Sequence, residues 1–303
     1  MAARLVECVP NFSEGRRGDV IETIVAAVRQ VDGVTVLNVQ SDASHNRTVL
    51  TFAGDAEPVV EAVAAMAREA VRLIDMNQHT GEHPRLGAVD VIPFVPIGAT
   101  TMDECVALAR RVGERLWAEL ELPVYFYGQA ASAPHRVRLP DIRKGEYEGL
   151  REKMQRPEWH PDVGEPRPHP TGGAVVVGAR RPLIAYNINL HTTDVGVAKA
   201  VARAVRESSG GLTNVQAMGV AAASGLAQVS INVLDYARTP LARIFDLVRA
   251  EAARFGVAIA ESEVVGLVPL DAMLDAARAY LRLREFDRAQ VLEVRLMESG
   301  NDG

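Results

Sequence analysis

Three segments from the first third of the chain return roughly 180 residues later. Leu5-Val-Glu-Cys-Val-Pro-Asn11 matches Leu183-Ile-Ala-Tyr-Asn-Ile-Asn189. Thr48-Val-Leu-Thr-Phe52 resembles Gln228-Val-Ser-Ile-Asn232. Asp90-Val-Ile-Pro-Phe-Val-Pro96 resembles Glu263-Val-Val-Gly-Leu-Val-Pro269. The spacing is far too long for a solenoid repeat, so it points to two related α/β units in one chain rather than to an array.

The periodicity of each half agrees. Leu5–Pro10 reads as a short buried strand, and Val20, Ile24, Ala27, Val28 and Val31 fall at helical spacing before Gly33. Val34–Val39 and Asn46–Ala53 read as strands. Glu57–Asp75 is an amphipathic helix with Pro58 in its first turn, and Val89–Val95 a strand closed by Pro96. The order is βαββαβ, the split-βαβ pattern, to which Met102–Glu121 adds a helix and Val124–Gly128 a strand. The second half repeats it: strand Leu183–Leu190, helix Asp194–Glu207, strands Val215–Ala222 and Ala227–Leu234, helix Pro240–Phe255, strand Glu263–Val268 and helix Asp271–Leu283. The expected fold class is α/β (α+β), with two ferredoxin-like βαββαβ subdomains at 1–180 and 181–303. The stretch Pro134–Pro182 is rich in Pro, Gly, Arg and His. A connection this long inside a compact chain is usually functional or disordered. Trp159 and the strand-like Ala174–Val177 favour a functional insert, lining the junction of the subdomains where ligand clefts form.

Net charge and cysteine content exclude some classes. The formal charge is −6, with no basic excess for a general nucleic-acid binder. Cys8 and Cys105 sit in apolar patterns and are expected as buried free thiols, too few for a disulfide framework. No run of about 18 apolar residues marks a membrane span, and Met-Ala-Ala-Arg-Leu-Val-Glu7 has no long apolar core of a signal peptide. A cytoplasmic protein is expected.

The chemistry concentrates in His79-Thr-Gly-Glu-His-Pro-Arg-Leu-Gly87, a titratable loop between a core helix and a core strand. His79 and His83 stand four apart, a metal-ligand spacing on a helix, but Gly81 and Pro84 oppose the helix. A metal-free role fits better, with a near-neutral histidine taking a proton from one nitrogen and giving it to another. Glu82 or Asp90 are candidates to orient the ring, and Arg85 to hold a carboxylate. Asp42-Ala-Ser-His-Asn-Arg47 is a second polar loop, equally readable as a hairpin connection. Gly128-Gln-Ala-Ala131 is a third candidate. Gly172-Gly173 and Gly178-Ala-Arg-Arg181 are a fourth, whose arginines suit a carboxylate-rich ligand or form a solvated pair. Ser13-Glu-Gly15 lacks the Lys-Ser/Thr of a phosphate loop, and no Gly-x-Gly-x-x-Gly or nucleophile elbow occurs.

Glu7-Cys-Val-Pro-Asn-Phe-Ser-Glu-Gly15, Asn46-Arg-Thr-Val49, Gly81-Glu-His-Pro-Arg-Leu-Gly-Ala-Val-Asp-Val-Ile-Pro-Phe94, Tyr127-Gly128, Gly145-Glu-Tyr-Glu148, Gly178-Ala-Arg180, Asn187-Ile-Asn-Leu190 and Val265-Gly-Leu-Val-Pro-Leu270 resemble the glutamate formimidoyltransferase (formiminotransferase) family. The blocks span nearly the whole chain and resemble the stand-alone form, without the cyclodeaminase domain fused in some relatives. The resemblance implies two subdomains facing each other across a cleft that binds tetrahydrofolate. It implies transfer of a formimino group between N-formiminoglutamate and N5 of tetrahydrofolate, a late step of histidine breakdown. The catalytic histidine of Gly-Glu-His-Pro falls on His83. The folate-contacting segment falls on Gly164–Gly173, with Gly164, Glu165, Arg167, His169, Thr171, Gly172 and Gly173 as its candidates. It also implies tetrahydrofolate as co-substrate and a homodimer, while the charge, the hydropathy and the breakers of the histidine loop lead us to expect no nucleic-acid partner, no membrane partner and no metal.

The proton inventory of that reaction agrees, because one histidine can serve both nitrogens in turn. Donor and folate both carry carboxylates, and Arg47, Arg85 and Arg180 are the arginines expected to meet them. The rival readings are a folate-binding carrier without turnover, a transferase of the N-formyl group (5-formyltetrahydrofolate and N-formylglutamate), and a metal-dependent hydrolase using His79 and His83.

Overall fold

The structure is a computed structural model that describes residues 4–299. The chain forms two units, Met1–Arg181 and Pro182–Gly303.

The first unit contains β1 (Arg4–Cys8), β2 (Asn11–Phe12), α1 (Gly18–Arg29), β3 (Val34–Asp42), β4 (Arg47–Gly54), α2 (Ala56–Leu73), β5 (Val89–Gly98), α3 (Met102–Leu120), β6 (Val124–Gly128), α4 (Leu139–Arg143), α5 (Glu146–Lys153) and β7 (Val175–Ala179). β1 and β2 are one strand line interrupted at Val9-Pro10. Both pieces pair antiparallel with β4 and β5, through Val6↔Gly54 and Cys8↔Phe94, then Asn11↔Val49 and Asn11↔Val91. With β3 on the outside of β4, this gives the split-βαβ sheet. β7 then joins β5 in parallel, and β6 joins β7 in parallel.

Alternation along the strands sends Val6, Cys8, Leu50, Phe52, Ile92 and Phe94 into one core. The stripe Val59, Val63, Met66, Ala67 and Ala70 of α2 meets it, together with α1 and α3. Each of the larger side chains contributes roughly 1.5–3 kcal/mol by leaving water. α3 starts at a capping box, in which the Thr101 hydroxyl accepts from the Glu104 N–H and the Glu104 carboxylate accepts from the Thr101 N–H.

The 134–174 segment is built of short helices as far as Trp159 and of turns beyond it. α4, α5 and Trp159 close over Val91, Tyr125, Tyr127 and Val176, and form a second core on the sheet's other side. Lys153 anchors this cover. Its ammonium donates to the carbonyls of Asp141, Ile142 and Lys144 and lies 3.8 Å from the centre of the Trp159 ring.

The second unit contains β8 (Ile184–Leu190), α6 (Val195–Val205), β9 (Val215–Ala221), β10 (Ala227–Val233), α7 (Leu241–Ala253), β11 (Ile259–Val265), α8 (Leu270–Leu281) and α9 (Leu292–Ser299). Its antiparallel sheet runs β11-β8-β10-β9. This is the order in which β5, β1, β4 and β3 lie in the first unit, so both halves carry the same topology. Its core is Ile184, Ile188, Leu190, Val229 and Ile231 against Val201, Val205, Ile244 and Val248.

Some elements depart from the sequence reading. β5 runs past Pro96 to Gly98. A proline forfeits only its own N–H, and its carbonyl still accepts, as Pro93 does from Val9 at 3.3 Å. β11 lies at Ile259–Val265 rather than Glu263–Val268, because its register against β8 is set from Ile259↔Leu190 to Val265↔Ala185. α9 lies beyond the last helix expected from periodicity.

Candidate active site

The 74–88 loop is held on both flanks. Met76 N–H donates to Thr171 O at 2.8 Å, and Ala88 N–H to Gly172 O at 3.0 Å. Glu82 N–H donates to Ser44 O at 3.2 Å, and the Asn46 amide to Thr80 O at 2.9 Å. Gly81 is required by the close approach of those strips of chain, since a Cβ there would lie 2.4 Å from His45 O. The Asn46 carbonyl oxygen of the side chain accepts from Gly15 N–H at 2.9 Å, which ties the Ser13–Gly15 turn to both loops. Glu14 fastens that turn. Burial pushes its carboxyl upward, but the N–H groups of Arg17 and Arg16 and the Arg17 guanidinium outweigh burial and hold it below the ordinary range.

The two histidines of the loop divide their work. His79 accepts from Arg85 Nε at Nδ1 (3.2 Å), so Nε2 carries the proton and donates to Asn46 O at 3.0 Å. Burial lowers its pKa, and both nitrogens are spent on the loop. His83 is different. Its Nε2 lies 3.4 Å from Arg47 Nη1 and 3.9 Å from Asp90 Oδ2, and its ring 6.2 Å from that of His45. Arg47 has only protons to give, so Nε2 holds the lone pair and Nδ1 the proton. Burial first, then the charges of Arg47 and Arg143, lower the His83 pKa to about 2. The ring is therefore a neutral imidazole.

Asp90, the third residue of the cluster, is 1% exposed. Its Oδ1 accepts the Leu86 N–H at 2.9 Å, and its Oδ2 is paired with Arg143 at the end of α4. Of the two carboxylates considered for orienting the ring, Asp90 is the one beside it, while Glu82 is exposed. Arg143 was not a candidate from the sequence. It sits in the Pro-rich stretch whose helices show no apolar periodicity, and only the folding of α4 over β5 brings it here. The Nε groups of Arg47 and Arg143 are buried with no hydrogen-bond partner among the described residues.

Other expected site residues lie elsewhere or are already engaged. Arg85 is buried, and its guanidinium meets Glu146 (2.9 Å), Glu148 (2.6 and 2.8 Å), and His79. The donors expected to greet a ligand instead fasten the start of α5 to the loop. Arg180 follows β7, where it neighbours Glu7 and Tyr127. Phe94 pairs with Ala179, so Arg180 is level with Val95, five strand positions or about 16 Å along from Asp90. The structure does not bring Arg180 to His83.

The Gly164–Gly173 segment divides in two. Thr171, Gly172 and Gly173 brace the loop from behind, with Gly173 at φ +71° and Leu86 O 2.2 Å from where its Cβ would be. His169 Nδ1 accepts the N–H groups of Gly172 (2.8 Å) and Thr171 (3.3 Å), a turn-forming role. Gly164 packs at φ +100° on the Trp117 ring. Glu165 and Arg167 pair with each other at 2.6 Å, and Arg167 reaches Glu121 beyond α3 at 3.5 Å. Gly128, at φ +63°, turns the chain under Ala179 O. Cys8 and Cys105 are buried free thiols, as expected. In the second unit, a groove of about 770 Å³ between α7 and β11 is lined by Phe245, Arg249, Val257, Ile259 and Glu261, and contains no histidine.

A family described as the formiminotransferase domain, N-terminal subdomain, matches residues 5–180, and the formiminotransferase domain matches residues 185–297. The chain is 44% identical over 297 residues to a glutamate formimidoyltransferase of Streptococcus pyogenes serotype M1, covering 97% of this chain and 99% of that one. It is 46% identical over 300 residues to a glutamate formimidoyltransferase of Thermoplasma acidophilum, covering 98% and 99%. It is 49% identical over 287 residues to the formimidoyltransferase-cyclodeaminase of Gallus gallus, covering 92% of this chain and 53% of that longer protein.

Proposed function

The chain belongs to the formiminotransferase family, and from that premise we propose that it moves a formimino group between N-formiminoglutamate and N5 of tetrahydrofolate, with His83 as the group that handles the proton. It is a one-carbon transferase, and the reaction places it late in histidine breakdown. Tetrahydrofolate is a substrate here, consumed and released.

The bond changes define what the protein must supply. N5 attacks the amidine carbon, and a C–N5 bond forms. The bond from that carbon to the glutamate nitrogen breaks. N5 loses a proton and the departing nitrogen gains one. A neutral imidazole in a rigid loop can take the first proton and return it as the second. Holding the two nitrogens on either side of one carbon supplies much of the remaining acceleration. Arg47 is the arginine of the expected set that stands at His83, so we assign it to a substrate carboxylate. Arg85 is given a bracing role.

The observation that carries this reading is the neutral His83 ring set between Arg47 and Asp90. The test is turnover of the unmodified chain with tetrahydrofolate and N-formiminoglutamate. Release of glutamate with formation of 5-formiminotetrahydrofolate is expected. Binding of both substrates without turnover indicates a carrier. Turnover restricted to 5-formyltetrahydrofolate and glutamate indicates the formyl transferase.

A further inference from the structure

The His83 cluster sets two guanidinium groups against one buried carboxylate, with Asp42 acting on Arg47 from a half-exposed position. Arg47 from β4 and Arg143 from α4 both face it, and Asp90 from β5 is the carboxylate between them. His45, from the β3–β4 loop, adds no negative charge and has its own partner in Asp42 at 2.9 Å. Arg85, in the same loop as His83, is already matched by Glu146 and Glu148. Two buried guanidinium Nε–H groups have no acceptor among the described residues, and a buried donor without an acceptor is destabilising. Asp90 is meanwhile poised between two partners. Its Oδ1 is fixed by the Leu86 N–H, its Oδ2 is paired with Arg143, and that same Oδ2 stops at 3.9 Å from His83 Nε2, just beyond hydrogen-bond range.

We infer that Arg47 and Arg143 form the seat of the donor's carboxylate, and that filling this seat turns Arg47 away from His83 Nε2 and releases Asp90 Oδ2 from Arg143, so that the ring proton moves from Nδ1 to Nε2, donates to Asp90, and leaves Nδ1 as the basic atom. Arg143 is then a binding residue that also positions Asp90, and through it the imidazole. The identity of the carboxylate rests on the transferase reading above. An incoming carboxylate accepts the two orphan Nε–H groups and cancels the charge that Asp90 leaves behind. A pivot about the Leu86 N–H then brings Oδ2 onto the ring. In the resting protein the two cations make His83 a weak base. With the donor seated, one cation is neutralised and a carboxylate stands at the ring, and both changes favour the protonated form. The histidine thus becomes an effective base only when there is a substrate to act on.

The experiment follows the His83 ring in the full-length protein by NMR with 13C-labelled histidine, identified as the resonance missing from His83→Asn, with L-glutamate as the probe. In the parent at neutral pH, saturating L-glutamate is expected to move the His83 ring from the Nδ1–H to the Nε2–H tautomer, read from the ring 13Cδ2 shift. Arg143→Gln is expected to show the Nε2–H tautomer without glutamate, and to weaken glutamate binding about tenfold. Arg143→Lys keeps the charge on Asp90 but has no Nε donor, so it is expected to keep the parent's resting tautomer and still bind glutamate weakly. A parent ring whose tautomer ignores saturating glutamate, or no glutamate binding at all, overturns the inference. So does an Arg143→Gln ring that keeps the parent's resting tautomer. Should Arg143→Gln fail to fold, the parent and Arg143→Lys spectra still decide. A ring that responds to glutamate in a protein with no formimino transfer would reject the transferase reading separately.

Discussion

The residue scale separates groups that look equivalent in a one-dimensional motif. His79 and His83 are four positions apart, yet His79 is consumed by Arg85 and Asn46, and His83 faces Arg47 and Asp90. The low pKa of His83 has a thermodynamic consequence. The folded ring stays neutral down to about pH 2, whereas the unfolded chain protonates it near 6.5. Between those values the unfolded state binds one more proton, so stability falls as pH drops below about 6.5. Chemical denaturation near neutrality and at about pH 5.5 should show a smaller acid-induced loss in His83→Asn than in the parent. Equal losses would mean that the ring is protonated in the folded state. Arg85→Met tests the bracing role. Removing a buried cation that meets two carboxylates should cost about 2 kcal/mol of stability, visible as a lowered Tm. The same substitution should leave L-glutamate affinity within about threefold, because Arg85 is not the carboxylate seat.

Legibility varies from element to element, and the reason is where each buries its apolar face. α2 announces itself through Val59, Val63, Met66 and Ala70, because a helix covering one sheet face carries a clean stripe. β4 alternates Thr48, Leu50 and Phe52 inward for the same reason. α4 and α5 carry only Ile142 and Leu150 as buried apolar residues, too few for a period, and their places are fixed by Val91, Tyr125 and Val176 from distant strands. β11 hides behind Glu261, Ser262 and Glu263, whose exposure reflects an edge strand. Two substitutions test the assigned roles. Thr101→Ala removes one half of the α3 capping box and should cost about 1 kcal/mol in urea unfolding with turnover unchanged. Lys153→Met withdraws the donor from three carbonyls around α4, and should cost about 2 kcal/mol. It should also lower turnover, since α4 carries Arg143 to Asp90. Stability lost with full turnover would detach α4 from the chemistry.

Across the whole molecule, two copies of one topology carry different loads. The repeated strand motifs made the duplication readable, because each half needs the same alternation to cover its own helices. The titratable cluster belongs to the first unit, where the loop after α2, the start of β4 and the end of α4 converge. His83 and Arg47 were legible as polar residues punctuating core elements. Arg143 was not, since no local pattern ties residue 143 to residue 90. Arg85 was misleading for a related reason: an arginine in a polar loop looks alike whether its partner is a glutamate of its own chain or a ligand.

The most direct test of His83 as the proton carrier is the steady-state rate of formimino transfer by His83→Ala, with tetrahydrofolate and N-formiminoglutamate binding measured on the same preparation. A loss of about 10²–10⁴-fold in kcat with both substrates still bound is expected. Undiminished kcat in a variant that binds both substrates would contradict it.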